Sequence, residues 1–383
     1  MTKGESLPKR LTADARIWYN ASTAGNVTGN DSNATGRAEG EEGRAVLTIK
    51  DIARLAGVSV STVSRVLNDR PDVSDLSRRR VRAVIEAEHY VPNNTARDLV
   101  RVRSDAIGLI VRGVQNPFYI DVIAAIERAL DAAGYTMVVR QIGFTDDELA
   151  VGAVMERDKR LRGVIFLGGR SNYTPEEVAR LSVPFVLCSY TNAFGTLDKS
   201  AYSSVSIDDE RAAFDAVNEL LQSGHRRIAA LVADKTDSAI SELRYRGYCR
   251  ALRQRGIEPD DALVVSTGDS FAIEDAYRAM NERLSSVADF TALFAIADEM
   301  AIGAMRALRE HGRDIPRDCS VVAIDGIAVS EYIHPMLTTL CQPREELGRQ
   351  SVALLLAAVE GRGGHSQLTL PTSLRRGASI RTL

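Results

Sequence analysis

From residue 106 onward the chain alternates between short runs of aliphatic and β-branched residues and longer stretches whose apolar positions recur three and four apart. The runs "AIGLIV", "YTMVVR", "GVIFLG", "PFVLCSY", "RIAALVA", "ALVVST", "ALFAIAD" and "SVVAID" read as strands. Between them, Tyr119 to Ala133, Arg211 to Ser223, Ser241 to Arg255 and Ile273 to Leu284 repeat at helical spacing. This strand–helix–strand order predicts an α/β fold of parallel sheets. Eight or more strands suit two doubly wound lobes better than one, and the default ligand site is then a cleft beyond the carboxyl ends of the strands.

A different pattern occupies "LTIKDIARLAGVSVSTVSRVLNDRP", residues 47–71. Thr48 followed by Asp51 predicts a capping box opening a helix from Ile49 to Ala56, with Ile49, Ile52, Ala53 and Ala56 on one face. Gly57 ends it, since glycine adopts the left-handed conformation readily. Ser59 caps a second helix, Val60 to Leu67, with Val63, Val66 and Leu67 inward; a third, Ser74 to Glu88, adds Val81, Val84 and Ile85. Two short helices joined through a glycine form a helix-turn-helix, so residues 45–90 are expected to be a three-helix DNA-binding headpiece. On the outward face, short side chains at a helix N-terminus allow close approach to a duplex, and an arginine one turn on can donate two bonds to guanine. Val60, Ser61 and Arg65 are therefore the candidates for base readout. Thr48, Ser59, Thr62 and Asn68 are better placed for phosphates.

Charge sharpens this reading. The whole chain carries −3, yet Val46 to Arg103 holds eleven Lys or Arg against seven Asp or Glu, a net of +4 that leaves −7 elsewhere. The basic segment points to an anionic partner. Residues 1–44, rich in Gly, Asn, Ser and Thr, have little to bury and are expected to be a disordered tail. Cys188, Cys249, Cys319 and Cys341 form no paired motif, so neither disulfides nor a metal site is expected, and a reducing cytoplasm fits. No signal peptide or membrane span is apparent. Scattered histidines, no nucleophile elbow and no phosphate loop argue against an enzyme, and no cofactor is implied.

"TIKDIARLAGVSVSTVSRVLN", continued by "VSDLSRRRVRAVIEAEHYVPNNTARDL", resembles the headpiece and hinge of the lactose-repressor (LacI/GalR) family of bacterial transcription regulators. The resemblance runs nearly to the C-terminus and implies a two-lobed, periplasmic-binding-protein-like domain. By it, residues 91–104 form a hinge in which Leu99 wedges into the minor groove of operator DNA, with Asn93, Ala96 and Arg97 lining that groove. It further implies a homodimer on a pseudo-palindromic operator, with affinity controlled allosterically by a small polar effector. A sugar-like ligand is expected, a nucleoside or purine corepressor is the alternative ligand, and a solute-binding protein is the alternative class. Whether the ligand releases or recruits the protein stays open.

The same resemblance gives an effector-binding and dimerisation domain over 105–383, with one lobe of 105–205 plus 315–343 and another of 206–314 plus 344–383. "NPFY" places Phe118 or Tyr119 against the ligand, "SELRYRG" supplies Arg244, "GDSF" supplies a stacking Phe271, and "AIADEMAIG" supplies Asp298 as hydrogen-bond acceptor. The chain departs from the family pattern at "VVAIDG", Ala297 and Gly377; the first two fall near the expected cleft and suggest an atypical ligand.

Overall fold

The computed structural model describes residues 47–67, 70, 72–88, 105–113, 116–236, 238–286 and 289–383. It divides into two compact units at Asn93/Asn94. The expected tail and hinge lie outside the described residues.

The first unit contains α1 (Ile49–Ala56), α2 (Val60–Leu67) and α3 (Asp75–Ala87). Local chemistry sets each boundary. The Thr48 backbone N–H and hydroxyl both donate to the Asp51 carboxylate, at 2.9 and 2.7 Å. Gly57 turns the chain at φ 65°, where a Cβ would be strained. Ser59 Oγ accepts the Thr62 N–H at 3.2 Å, and Ser74 Oγ accepts that of Ser77 at 3.3 Å. The three helices meet on Ile52, Ala53, Ala56, Val63, Val66 and Val81. Each larger aliphatic there contributes on the order of 2 kcal/mol by leaving water, so a core this small leaves little margin for truncation.

In the second unit, one six-stranded sheet holds β1 (Ala106–Arg112), β2 (Thr136–Ile142), β3 (Gly163–Leu167), β4 (Phe185–Cys188) and β5 (Ser203–Ile207), with β11 (Gln367–Leu370) at its edge. Its order is β11-β5-β4-β3-β1-β2 and every pairing is parallel. The other holds β6 (Ile228–Val232), β7 (Val264–Ser266), β8 (Ala292–Ala295), β9 (Ser320–Asp325), β10 (Thr338–Cys341) and β12 (Ser373–Arg375), in the order β12-β10-β9-β8-β6-β7, with only β12 antiparallel. Strands β1, β3, β6, β8 and β9 are buried from end to end, as parallel strands covered by helices on both faces must be.

The lobe boundaries expected from the sequence need correction. Residues 315–343 do not return to the first lobe, because β9 pairs in parallel with β8 and β10 with β9, inside the second sheet. Residue 314 lies in an ordinary crossover within that sheet. Helix α11 (Arg344–Val359) packs instead against α4 (Phe118–Ala132) and strands β3 to β5, and β11 then completes the first sheet. The chain changes lobe between β5 and α7 (Asp209–Gln222), between β10 and α11, and between β11 and β12.

Candidate functional site

A cavity of about 270 Å³ opens between the two lobes, walled by residues at the carboxyl ends of strands: Arg112 at the end of β1, Gly168 after β3, Ser189 after β4, Ala233 after β6 and Asp325 at the end of β9. Asp325, at φ 132°, and Ser189, at φ 69°, hold backbone conformations that non-glycine residues seldom adopt. Strain of that kind persists only where surrounding bonds enforce it. For Asp325 those bonds come from Arg244 Nη1 at 3.4 Å and Gln342 Nε2 at 2.7 Å.

Four of the five expected effector residues meet here: Phe118, Tyr119, Arg244 and Phe271 all line the cavity. Asn116 Oδ1 accepts the Phe118 N–H at 2.9 Å, which fixes the start of α4 and sets Phe118 edge-on to Tyr119, ring centres 5.6 Å apart. Burial pushes the Tyr119 phenol well above its usual pKa, and the Asp325 carboxylate adds to the shift. Arg244, on α8 (Ile240–Gln254), is 3% exposed and donates from Nε to Asp209 at 2.8 Å and from Nη1 to the Ile296 carbonyl at 2.5 Å. Burial opposes its charge, but the Asp209 and Asp325 carboxylates outweigh that and hold the guanidinium above the ordinary arginine range. Gly247 makes this possible: a Cβ there would sit 2.2 Å from the Glu210 carbonyl, so only glycine lets α8 lie this close to α7.

Asp298, expected as a ligand acceptor, is placed elsewhere and does not line the cavity. Fully buried at the start of α10 (Asp298–Glu310), it accepts the Ile327 N–H at 2.9 Å, the Ser330 hydroxyl at 2.8 Å and the Thr339 hydroxyl at 2.5 Å. With three donors on its two oxygens it braces the segment after β9. Burial, and then the Asp325 charge, raise its pKa to about 7. The buried carboxylate that does line the cavity is Asp325, in the same "VVAIDG" stretch that departs from the family pattern. The departure at Gly377 also has a physical reason, since a Cβ would meet the Met336 carbonyl oxygen at 2.2 Å.

A second buried network, missed in the sequence, supports the first-lobe wall. Glu148, fully buried at the start of α5 (Glu148–Lys159), takes bonds from Arg112, from the Tyr173 hydroxyl and, at 3.1 Å, from the Arg170 backbone N–H. Arg112 Nη2 also reaches the Asp146 carbonyl at 2.6 Å, and Tyr173 and Tyr190 share a hydroxyl contact of 2.9 Å. An arginine ending an otherwise apolar strand, "AIGLIVR", was the available signal for Arg112. Glu148 offered none, because an acid in a helix's first turn normally reads as a surface residue. The lobes also touch directly: Ile240 of α8 packs into the first-lobe cluster holding Tyr173 and Tyr190, and Arg246 lies 4.9 Å over the Phe194 ring. Across the crossover, Arg344 pairs with Asp121 of α4 at 2.9 Å and reaches the Asp325 carbonyl at 3.4 Å.

On the headpiece, Thr48, Ser59, Val60, Ser61 and Arg65 are exposed, with Thr62 half-buried. Ser59 Oγ contacts the hydroxyls of Ser61 at 2.7 Å and Thr62 at 2.9 Å, so the start of α2 is tied together by its own side chains. Arg65 is 3.6 Å from Asp72 in an exposed ion pair. Asn68, Asn93, Ala96, Arg97 and Leu99 lie outside the described residues. Among the described residues no helix is long and apolar enough to cross a membrane.

Residues 48–93 match the family described as bacterial regulatory proteins, lacI family, and residues 217–380 match a periplasmic binding protein-like domain. The HTH-type transcriptional regulator MalR of Clostridium butyricum is 39% identical over 332 residues, 86% of this chain and 97% of that one. The HTH-type transcriptional repressor CytR of Escherichia coli (strain K12) is 31% identical over 334 residues, 87% and 96% of the two chains. Among solved structures, a transcriptional regulator CelR–cellobiose complex aligns with TM-score 0.65 at 31% identity, covering 87% of this chain and 99% of that one. The lac repressor dimer bound to operator and the anti-inducer ONPF aligns with TM-score 0.70 at 26% identity, covering 88% and 99%. The exposed helix-turn-helix, the cleft at the strand ends and these likenesses agree: the chain belongs to the LacI family of bacterial regulatory proteins, DNA-binding regulators of transcription.

Proposed function

We propose that this regulator is a cytoplasmic repressor that binds a pseudo-palindromic operator as a homodimer, with an effector in the interlobe cleft altering its operator affinity. The observation that carries the reading is the buried Asp209–Arg244–Asp325 group facing a cavity at the strand ends. A fork of donors beside a carboxylate suits a polyhydroxylated ligand, and Phe118 and Phe271 offer ring faces to its C–H surfaces. The cellobiose bound by one structural relative supports a sugar as the class.

On DNA, Val60, Ser61 and Arg65 are the proposed base contacts, and Thr48, Ser59, Thr62 and Asn68 the phosphate contacts. Asn93, Ala96, Arg97 and Leu99 are proposed for the minor groove on the family resemblance alone. Half-sites about one helical turn apart are expected of paired helix-turn-helix units. Footprinting of the full-length protein with and without candidate sugars tests the whole reading. Two protected half-sites whose occupancy shifts with a sugar support it, whereas a single asymmetric half-site rules out the dimer.

A further inference from the structure

Resting on that reading of the cleft as the effector site, the crossover from β10 to α11 shows how the two walls are tied together from behind. Asp325 and Gly326 turn the chain at φ 132° and 73°, and a Cβ on Gly326 would sit 2.5 Å from Cys341 Sγ. The crossover grips this turn at several atoms. Gln342 donates from Nε2 to Asp325 Oδ1 at 2.7 Å and from its backbone N–H to the Asp325 carbonyl at 3.1 Å. Arg344 Nη1 adds a bond to the Gly326 carbonyl and a longer one, 3.4 Å, to that of Asp325. Its Nε turns the other way, to Asp121 Oδ2 on α4 at 2.9 Å. One guanidinium thus joins the second-lobe turn that carries Asp325 to the first-lobe helix that carries Phe118 and Tyr119.

Arg344 does not itself line the cavity. Its side chain is 22% exposed and that of Asp121 54%, so the pair is partly solvated and can be remade in a shifted geometry at little cost. A guanidinium is a rigid planar fork, and its two ends cannot move independently. The turn it holds is strained at Asp325, and strain of that kind is kept only by surrounding bonds. Movement of Asp325 onto a ligand therefore pulls on its own carbonyl, on the fork and on Asp121. Ile327 belongs to the same apolar cluster as Phe118 and Val122 of α4, so an apolar tie runs beside the polar one. Apolar packing is non-directional and lets the surfaces slide, whereas the fork sets their register. The Ile327 N–H, bonded to Asp298 at 2.9 Å, reports whether the turn stays in place.

We propose that Arg344 is a positioning residue coupling the cleft to operator binding: it holds α4 in register with the Asp325 turn, so that a ligand's contact with Asp325 is relayed to the first lobe, whose β1 follows the headpiece in sequence. Hydrogen exchange on the unliganded full-length protein tests the tie. Asp121→Ala, a change on the first lobe, should speed exchange of the Ile327 amide about threefold or more; Arg344→Gln should do the same, and the double variant no more than Arg344→Gln alone. Operator titrations with ribose, maltose, cellobiose and cytidine test the relay. A probe that shifts the affinity of the unaltered protein at least about fivefold should shift that of Arg344→Gln less than about twofold, while raising the melting temperature of both by similar amounts. Asp121→Ala, at an exposed position, carries both measurements should Arg344→Gln fail to fold. An Ile327 amide unmoved by Asp121→Ala overturns the proposal, as does a full operator shift in Arg344→Gln, and either result leaves the cleft as an effector site. If no probe shifts operator affinity in the unaltered protein, the reading of the cleft falls and the relay with it.

Discussion

On α2 the side chains proposed to contact bases, Val60, Ser61 and Arg65, lie within two turns of one helix and stand in solvent. Around the cleft, Arg112, Glu148, Arg244 and Asp325 come from four separate elements and are buried. The contrast is one of dielectric as much as of place. An exposed ion pair such as Arg65–Asp72 contributes little and can be exchanged for a DNA contact at small cost. A buried set such as Asp209–Arg244–Asp325 cannot lose one member without stranding the others in a medium that solvates them poorly.

Arg244→Ala puts most strain on that contrast. Urea unfolding should show a loss of about 3–5 kcal/mol from the two abandoned carboxylates, and ligand-dependent thermal stabilisation should vanish. A loss under about 1 kcal/mol would mean the cleft is as well solvated as the headpiece surface. Asp298→Ala, which orphans three buried donors away from the cavity, should cost about 2–4 kcal/mol in the same assay. Ligand affinity measured on the fraction that stays folded should change far less than in Arg244→Ala, separating brace from contact.

On the exposed side, Arg65→Ala should leave stability alone, weaken operator binding by about 1–3 kcal/mol and relax preference at one base pair per half-site. Equal weakening on every sequence would reassign Arg65 to a phosphate. Glu299, 9% exposed on α10, gives a smaller, pH-dependent effect. Burial, with Asp325 and Glu274 nearby, raises its pKa to about 7 from the usual 4.5. The folded state therefore holds this proton more tightly, so the group's favourable contribution is complete below the unfolded value and is lost as pH rises toward and through about 7. Glu299→Gln should flatten that decline and stabilise the protein at pH 8 by on the order of 1 kcal/mol. Smallest of all, Asp72→Asn should change operator affinity by less than about 1 kcal/mol, upward if releasing Arg65 outweighs losing the order the pair provides.

The headpiece was legible because its signals are local. Thr48 with Asp51, Gly57, Ser59 and Ser74 mark helix ends within a few residues of the ends they set, and the apolar spacing marks the inner face. The central strands were legible for a similar reason, being apolar along their length. Strand β5, "SSVSI", was not: its serines are buried, Ser203 Oγ accepting the Ser366 N–H at 3.2 Å and Ser204 Oγ donating to Thr191 at 3.1 Å, so polarity there does not mean exposure. Strands β10, β11 and β12 were hidden because they span only four, four and three residues, too short to show a period, and because β11 finds its partner β5 far away in sequence. The same distance concealed the cleft's chemistry. Asp298 and Asp325 both follow or end strands of the second sheet, and only the bonds from Ile327, Ser330 and Thr339 distinguish the brace from the wall.

The late return of the chain to the first sheet bears on synthesis. Ribosomes deliver β1 to β5 early, but that sheet lacks α11 and its edge strand β11 until residues 344–370 emerge, after β6 to β10 of the second sheet. Until then β5 presents an unpaired edge, and the apolar surface that α11 will cover lies open. The nascent first lobe therefore stays incomplete from the emergence of Ile207 to that of Leu370, and a chaperone that shields it over that interval should raise the yield of folded regulator more than one acting on the finished chain.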